Sequence, residues 1–317
     1  MITTRHLITR AQAGDAHAQF RLGYRLALGR TRAGRRRPWR RIVELWKAAA
    51  KQGHARAQFY LGTCYDDGLG VSRSAARAMN WYRRAAIQGH EAAQYNLAFG
   101  YREGEGVPRN LARAVGWFRR AAEQGDAGAQ RDLGYHCHEG EGTRRDYEAA
   151  VQWYRRAARQ GDAIAQYNFA LCYVDGDGVC QNRATAVQWF RRAAERGHVR
   201  AQWRLSEAYD GGAGVRRDGA EALRWLRKAA RGGNADAQCA LGVRHHNGSG
   251  VVRSYPGCVL WYRRAVRNGC DWAKYLLGLC YRDGEGVRSN RRLAMRWFRA
   301  AAKKGVPEAK VALRRMK

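Results

Sequence analysis

Two clusters of histidine, cysteine and acidic side chains are the first candidates for chemistry in this chain. One is His136-Cys137-His138-Glu139, and the other is the pair His245-His246. Histidine nitrogens and cysteine thiolates bind zinc, but zinc sites need further ligands at spacings such as Cys-x-x-Cys or His-x-x-x-His. Neither cluster has such a partner in the sequence. We therefore expect no bound metal, and the sequence indicates no other cofactor.

Enzyme motifs are equally scarce. A Gly-x-Gly pair recurs along the chain, but the third glycine of the dinucleotide fingerprint is missing and no strand pattern precedes the pair. None of the six serines begins a Ser-x-x-Lys motif, and Gly-x-Ser-x-Gly and His-Glu-x-x-His do not occur. We expect a protein that binds other molecules rather than an enzyme, and we assign no catalytic residue.

A strict internal repeat defines the elements that must position these residues. The pair Ala-Gln recurs every 36 residues, and a tryptophan recurs with the same period. The alanines are Ala57, Ala93, Ala129, Ala165, Ala201 and Ala237, and the tryptophans are Trp81, Trp117, Trp153, Trp189, Trp225, Trp261 and Trp297. A fixed period of this length is typical of repeat proteins, in which each repeat is one supersecondary unit.

Each repeat has the pattern of two helices. Helix A begins near Ala-Gln and ends at Gly-x-Gly, where glycine permits a left-handed C-cap. Four residues after the second glycine comes an N-capping residue, so helix B begins there. These N-caps are Ser74, Asn110, Asp146, Asn182, Asp218, Ser254 and Asn290. Two helices of about 13 residues cannot bury their apolar faces alone. The repeats must therefore stack, which predicts an all-α solenoid.

The repeat resembles a known family. Ala-Gln-x-x-Leu-Gly-x-x-Tyr, then Gly-x-Gly-Val, then Ala-x-x-Trp-Tyr-x-x-Ala-Ala is similar to the Sel-one-like repeat, a relative of tetratricopeptide repeats, over essentially the whole chain. The resemblance implies a right-handed α/α superhelix of tandem helix-turn-helix repeats. Individual repeats depart from the pattern: the tyrosine is replaced by Cys137 and His245, and the glycine after leucine by Ala170 and Ser206.

The repeats predict one domain over residues 1–317. Its parts are an N-terminal capping helix at 1–15, an atypical first repeat with an Arg-rich loop at 16–54, seven regular repeats at 55–306 and a C-terminal capping helix at 307–317. Cysteine fits the same pattern, because Cys64, Cys172 and Cys280 share one repeat position that also accepts small apolar residues. We therefore expect most of the eight cysteines to be reduced packing residues.

In tetratricopeptide-like arrays helix A lines the inner, concave groove. By that resemblance, a scaffold or adaptor would hold another protein or an extended peptide in this groove. The contact residues would be Phe59, Tyr95, Arg131, Tyr167, Trp203 and Tyr275. The alternative is that these side chains simply pack between repeats.

The charge of the chain suggests a different partner. Lys and Arg total 59 against 27 Asp and Glu, which gives a formal net charge of +32. A surface of this kind attracts polyanions such as nucleic acid. The candidate binding residues are Arg35, Arg36, Arg37, Arg83, Arg84, Arg119, Arg120, Arg155, Arg156, Arg191 and Arg192. The alternative is a solvated outer face whose arginine stems cover tryptophan and tyrosine rings.

No targeting segment is apparent in the sequence. The first ten residues lack the apolar stretch of a signal peptide, and nowhere do 18 apolar residues run together. We expect a cytoplasmic protein without a membrane span. The alternative is export by a specialised secretion system that uses no such signal.

Overall fold

The computed structural model describes residues 4–29 and 37–316. Within those residues the chain forms helices α1 to α18 and no strand, which confirms the all-α repeat fold. Even-numbered helices are helix A of successive repeats, and odd-numbered helices are helix B. The chain divides into two compact units, Met1–Gln160 and Gly161–Lys317, which are called unit 1 and unit 2 below.

Unit 1 holds the first nine helices. Each helix A packs most extensively against the helix B that follows it. The helices are α1 (Thr4–Gln12), α2 (Ala16–Leu28), α3 (Trp39–Lys51), α4 (Ala55–Asp67), α5 (Ala75–Ile87), α6 (Glu91–Glu103), α7 (Leu111–Gln124), α8 (Ala127–Glu139) and α9 (Tyr147–Gln160).

Unit 2 holds the other nine helices and repeats the same packing. They are α10 (Ala163–Asp175), α11 (Arg183–Glu195), α12 (Val199–Gly211), α13 (Gly219–Arg231), α14 (Ala235–Asn247), α15 (Tyr255–Arg267), α16 (Asp271–Asp283), α17 (Arg291–Lys303) and α18 (Pro307–Arg315).

The Gly-x-Gly turn needs both of its glycines, for two different reasons. Gly104 ends α6 in the left-handed region, with φ of 78°, and its N–H donates to the carbonyl of Gly100 at 2.9 Å. Gly106, with φ of 69°, lies against the start of α5. A Cβ there would come within 2.4 Å of the Ala75 carbonyl carbon. The first glycine therefore permits the C-cap, and the second permits close packing on the preceding repeat.

The predicted N-caps of helix B are confirmed. Each side-chain oxygen accepts a hydrogen bond from a backbone N–H in the first turn, as Asn110 does from Arg113 at 2.9 Å. The same capping bond is made by Ser74, Asp146, Asn182, Asp218, Ser254 and Asn290.

The periodic glutamine has a structural role. Gln94, nearly fully buried on α6, donates from its amide nitrogen to the carbonyl of Ala86 at the end of α5, at 3.1 Å. Its amide oxygen accepts from Gln124 at the end of α7, at 2.7 Å. One buried side chain thus joins three helices and satisfies a helix-end carbonyl. The neighbouring Ala93 is fully buried.

A small residue follows the leucine that recurs in helix A, and it lets helix A approach helix B closely. At Gly134 a Cβ would lie 2.7 Å from the ring of Tyr154 on α9. Where the position is Ser206, its hydroxyl donates to the carbonyl of Ala222 at 2.8 Å, so this buried polar group is satisfied. This departure from the repeat pattern is therefore accommodated locally.

Candidate partner-binding surfaces

The proposed groove residues occupy the fifth position of helix A, and all six side chains are partly buried. In unit 1, the ring of Phe59 stacks on the ring of His90, with 4.6 Å between centroids, and lies 5.8 Å from the ring of Tyr82. In unit 2, Tyr167 stacks on His198 at 4.6 Å. Each ring therefore packs between repeats on one side and keeps an accessible part on the other.

The structure brings Tyr95 and Arg131 together in unit 1. The Tyr95 hydroxyl donates to the carboxylate of Asp132 at 3.1 Å and accepts from the Arg131 guanidinium at 3.3 Å. Asp132 is buried, and it also pairs with Arg102 at 3.3 Å and with Arg131 at 2.7 Å. Burial and this carboxylate raise the pKa of Tyr95. The cluster fixes the two groove side chains relative to each other.

Trp203 and Tyr275 lie on α12 and α16 of unit 2 and pack against different apolar clusters. Trp203 packs against the apolar cluster that contains Leu226 and Leu241. The ring of Tyr275 lies 5.0 Å from the ring of Trp272 and 5.7 Å from that of Phe298. Trp272 is a large exposed apolar residue beside a groove position.

A second row of side chains, which the sequence analysis did not single out, lies four positions after the first. Phe99 on α6 is 37% exposed and Tyr135 on α8 is 43% exposed, each one helical turn beyond a fifth-position residue. The Arg102 guanidinium covers Phe99 at 4.6 Å from the ring centroid. Spacing of four residues places both rows on one face of helix A, but it does not show which side chains stay exposed. Tyr95, Phe99, Arg131 and Tyr135 are called the unit 1 patch below.

Three histidines at these junctions are N-caps of helix A. In each, Nδ1 accepts from the backbone N–H three residues on, at 3.2 Å for His54 and His198 and 3.3 Å for His90. Burial lowers the pKa of all three, and nearby positive charge adds to this at each site. They therefore stay neutral, as an accepting nitrogen requires.

A cavity of about 620 Å³ opens in unit 2 at the repeat that carries Cys239 in the fifth position. Cys239 stands where the other repeats carry Phe59, Tyr95, Arg131, Tyr167, Trp203 or Tyr275, and the sequence prediction omitted it. The cavity is lined by Asp210, Arg217, Asp236, Cys239, Ala240, Val243, Arg244, Ser249, Cys270 and Trp272. A small side chain at a position that elsewhere holds a larger one accounts for the space.

The paired basic residues of helix B rest on aromatic rings. The second residue of each pair covers the tryptophan three positions earlier, as Arg120 covers Trp117 at 4.4 Å from the ring centroid. The same contact is made by Arg84, Arg156, Arg192, Lys228 and Arg264, at 4.2 to 4.7 Å.

The first residue of a pair reaches the next repeat where a tyrosine is available. Arg83 donates to the Tyr101 hydroxyl at 3.0 Å, and Arg191 donates to the hydroxyl of Tyr209. In the Arg-rich loop, Arg35 and Arg36 lie outside the described residues, whereas Arg37 is exposed just before α3. These contacts favour the interpretation that the arginines cover aromatic rings on a solvated outer face over the interpretation that they bind a polyanion.

The two histidine clusters do not converge on a metal. His136 is fully buried, and its Nδ1 contacts the carbonyl of Glu141 at 2.9 Å. His246 meets Glu285 at 2.8 Å through Nε2. Across residues 4–29 and 37–316, no group of three or more His, Cys, Asp or Glu side chains is placed to hold a metal ion. The helices of this same part of the chain include none long and apolar enough to cross a membrane.

An all-α array of two-helix repeats with aromatic rings along helix A is the architecture of repeat-scaffold proteins. The Sel1 repeat matches the chain at residues 16–35, 55–90, 91–126, 127–162, 163–198, 199–234, 235–270 and 273–306. The chain belongs to the Sel1 repeat family. Repeats of this kind generally mediate protein–protein interactions.

Two solved structures show the same fold over nearly the whole chain. One is a protective antigen present in uropathogenic Escherichia coli strains that displays an SLR fold, with a TM-score of 0.88 and 34% identity; the match covers 99% of this chain and 67% of that one. The other is a Sel1 repeat protein from Oxalobacter formigenes, with a TM-score of 0.77 and 32% identity, covering 99% and 90%. The search of curated proteins gave no match.

Proposed function

We propose that this protein is a scaffold that binds a segment of another protein on the helix A surface, with the unit 1 patch as a contact site. The observation that carries the proposal is the exposure of Phe99 and Tyr135 on consecutive helices A. Large exposed rings in adjacent repeats are unusual on a surface that has no partner. Tyrosine and arginine are also the residue types enriched at binding hot spots.

The patch is held in place before any partner arrives. Asp132 fixes Tyr95 and Arg131, and Arg102 both pairs with Asp132 and covers Phe99. Side chains that are already ordered lose less conformational entropy on binding. The patch offers the ring faces of Phe99 and Tyr135, which suit an apolar segment, and tyrosine hydroxyls that can hydrogen-bond to its backbone.

A capture experiment with paired variants tests this function. Wild type, the double variant Phe99→Ala/Tyr135→Ala and the control Ile87→Ala are compared in pull-downs from the native host at two salt concentrations. Ile87 is exposed on a helix B, outside the patch. We expect the double variant alone to lose a specific protein, because each ring contributes about 1–3 kcal/mol if it is a hot spot. Equal capture by all three proteins would contradict the proposal.

A polyanion bound along the helix B pairs is the second candidate. Its support is the net charge of +32 and the exposure of Arg83, Arg84, Arg119 and Arg120. Guanidinium groups that cover rings can still face a phosphate with their other side. Binding of this kind would weaken steeply with salt, whatever the nucleic-acid sequence.

A further inference from the structure

The cavity lined by Cys239 lies at a junction that carries two thiols. At three other junctions the fifth residue of one helix A stacks on a histidine N-cap of the next, as in Phe59 on His90 and Tyr167 on His198, and elsewhere the N-cap is Asp126, Asp162, Asn234 or Val306. The corresponding residues of α14 and α16 are Cys239 and Cys270. Both changes occur together, at two positions that contact each other.

The two thiols differ in how readily they ionise. Cys239 donates a hydrogen bond to Cys270, and the N–H groups of Ala273 and Trp272 at the start of α16 further favour the Cys270 thiolate. Together they lower the pKa of Cys270, against the effect of burial. The same hydrogen bond and burial raise the pKa of Cys239. The pair therefore combines a more acidic thiol with a less acidic one, the arrangement of an attacking and a resolving cysteine.

The pair is close to solvent although its residues are mostly covered. Cys239 is 6% exposed and Cys270 is 8% exposed, and both line the cavity of about 620 Å³. A molecule the size of hydrogen peroxide can enter a space of this volume. Arg217 and Arg244 line the same cavity together with Asp210 and Asp236, and Arg244 pairs with Asp210 at 2.7 Å, so its wall is polar and carries charges of both signs.

We propose that Cys239 and Cys270 form a modification site, where a peroxide oxidises the two thiols to a disulfide that links α14 to the start of α16. The Cys270 thiolate attacks one oxygen of hydrogen peroxide and breaks the O–O bond, giving a sulfenic acid and hydroxide, which is protonated to water. The Cys239 sulfur then attacks the sulfenic sulfur and expels hydroxide, which takes the thiol proton. Two thiols lose two electrons, and one peroxide becomes two waters.

A second cysteine pair in the same apolar cluster provides an internal control. Cys258 and Cys280 also share a thiol hydrogen bond, but they are 0% and 2% exposed, and only Cys280 lines a cavity, a smaller one of about 350 Å³. Only the Cys239–Cys270 pair has both thiols on one cavity, so Cys258–Cys280 should react more slowly with peroxide while the protein is folded. Cys180 is exposed and is replaced in the test background to prevent links between molecules.

The test uses the full chain with Cys180→Ser, treated at pH 7 with one equivalent of hydrogen peroxide and then alkylated and digested with trypsin. The four cysteines fall on separate tryptic peptides, 232–244, 254–263, 268–274 and 275–282. We expect mass spectrometry to find a disulfide between 232–244 and 268–274, reversed by dithiothreitol, and reduced thiols on the other two. Failure to form this link, or equal oxidation of all four peptides, would overturn the proposal.

A conservative variant assigns the attacking sulfur. Cys270→Ser retains an oxygen at the N-cap, where serine is favoured, so folding should be preserved. We expect its Cys239 to be oxidised about tenfold more slowly than the wild-type pair, because no thiolate is held at the helix N-terminus. Equal oxidation of Cys239 in this variant would contradict the assignment of Cys270. Thermal unfolding of each variant before treatment shows whether the protein is still folded.

Discussion

The junctions Tyr167–His198 and Cys239–Cys270 join successive helices A in the same way, but the space between the helices is filled at the first and open at the second. Both lie over an apolar layer of fully buried alanines, such as Ala201 and Ala273. At the first, a ring fills the space between successive helices A, and a neutral histidine caps the next helix. At the second, two thiols leave a cavity of about 620 Å³. The residue in the fifth position therefore determines whether the space between these helices is filled or open.

The largest expected effect tests whether the core is equally tight under both junctions. Phe190 lies below Tyr167, and Tyr262 belongs to the cluster around Cys239; both are buried. We expect Phe190→Ala and Tyr262→Ala to lower the free energy of unfolding by about 3–5 kcal/mol each, measured by urea denaturation. A much smaller loss for Tyr262→Ala would show that the thiol junction has a looser core, not only an open groove.

The next effect separates packing from binding in the groove. Tyr95→Ala, Tyr167→Ala and Trp203→Ala should each weaken partner binding by about 1–3 kcal/mol if these side chains are hot spots. All three are partly buried, so some loss of stability accompanies the change. Affinity and melting temperature are therefore measured on the same samples. Variants that melt early but bind normally per folded molecule would assign the rings to packing.

The repeat could be predicted from the sequence because its determinants are local. Helix ends depend on glycine and capping residues at fixed spacing, and Asn110 and Gly104 act as expected. The groove was harder, because no local rule indicates which apolar side chain stays exposed. Phe99 was therefore missed, and so was Cys239, a small residue whose effect is the space it leaves. Capping by histidine Nδ1, as at His90, was missed for a different reason, since histidine is not a usual N-cap.

The histidine junctions should make stability depend on pH in the range below 7. Burial lowers the pKa of His90 and His198 in the folded state, so the unfolded chain takes up protons first as pH falls below the ordinary value of about 6.5. Stability should therefore drop between pH 7 and 5. His90→Asn and His198→Asn keep a capping oxygen and should lessen this drop, with the cap itself contributing about 1 kcal/mol.

His246 is the control of opposite sign. Hydrogen bonds to Asn247 and Glu285 raise its pKa, so its contribution is fully present below the ordinary histidine value and is lost as pH rises through its own folded value. His246→Asn should lower stability more at pH 5 than at pH 8. Melting temperatures across this range check both signs. The same pH profile for all three asparagine variants would refute the assignment of the histidine caps.

The smallest expected effect concerns the paired basic residues of helix B, which are called the helix B ridge here. Arg84, Arg120 and Arg156 cover tryptophan rings in unit 1, and exposed contacts of this kind contribute about 0.5–1 kcal/mol each. We expect the triple alanine variant to lose a small amount of stability and to bind the groove partner normally.

If the arginines instead contact phosphates, the slope of log affinity against log salt for single-stranded nucleic acid should fall by about 2, because each phosphate contact contributes about 0.7. The triple lysine variant separates charge from stacking, since Lys228 covers Trp225 in a natural repeat at 4.2 Å. The helix B ridge would be assigned to a polyanion if the lysine variant keeps both the salt slope and the melting temperature while the alanine variant loses only the slope. The helix A surface would then be a separate site.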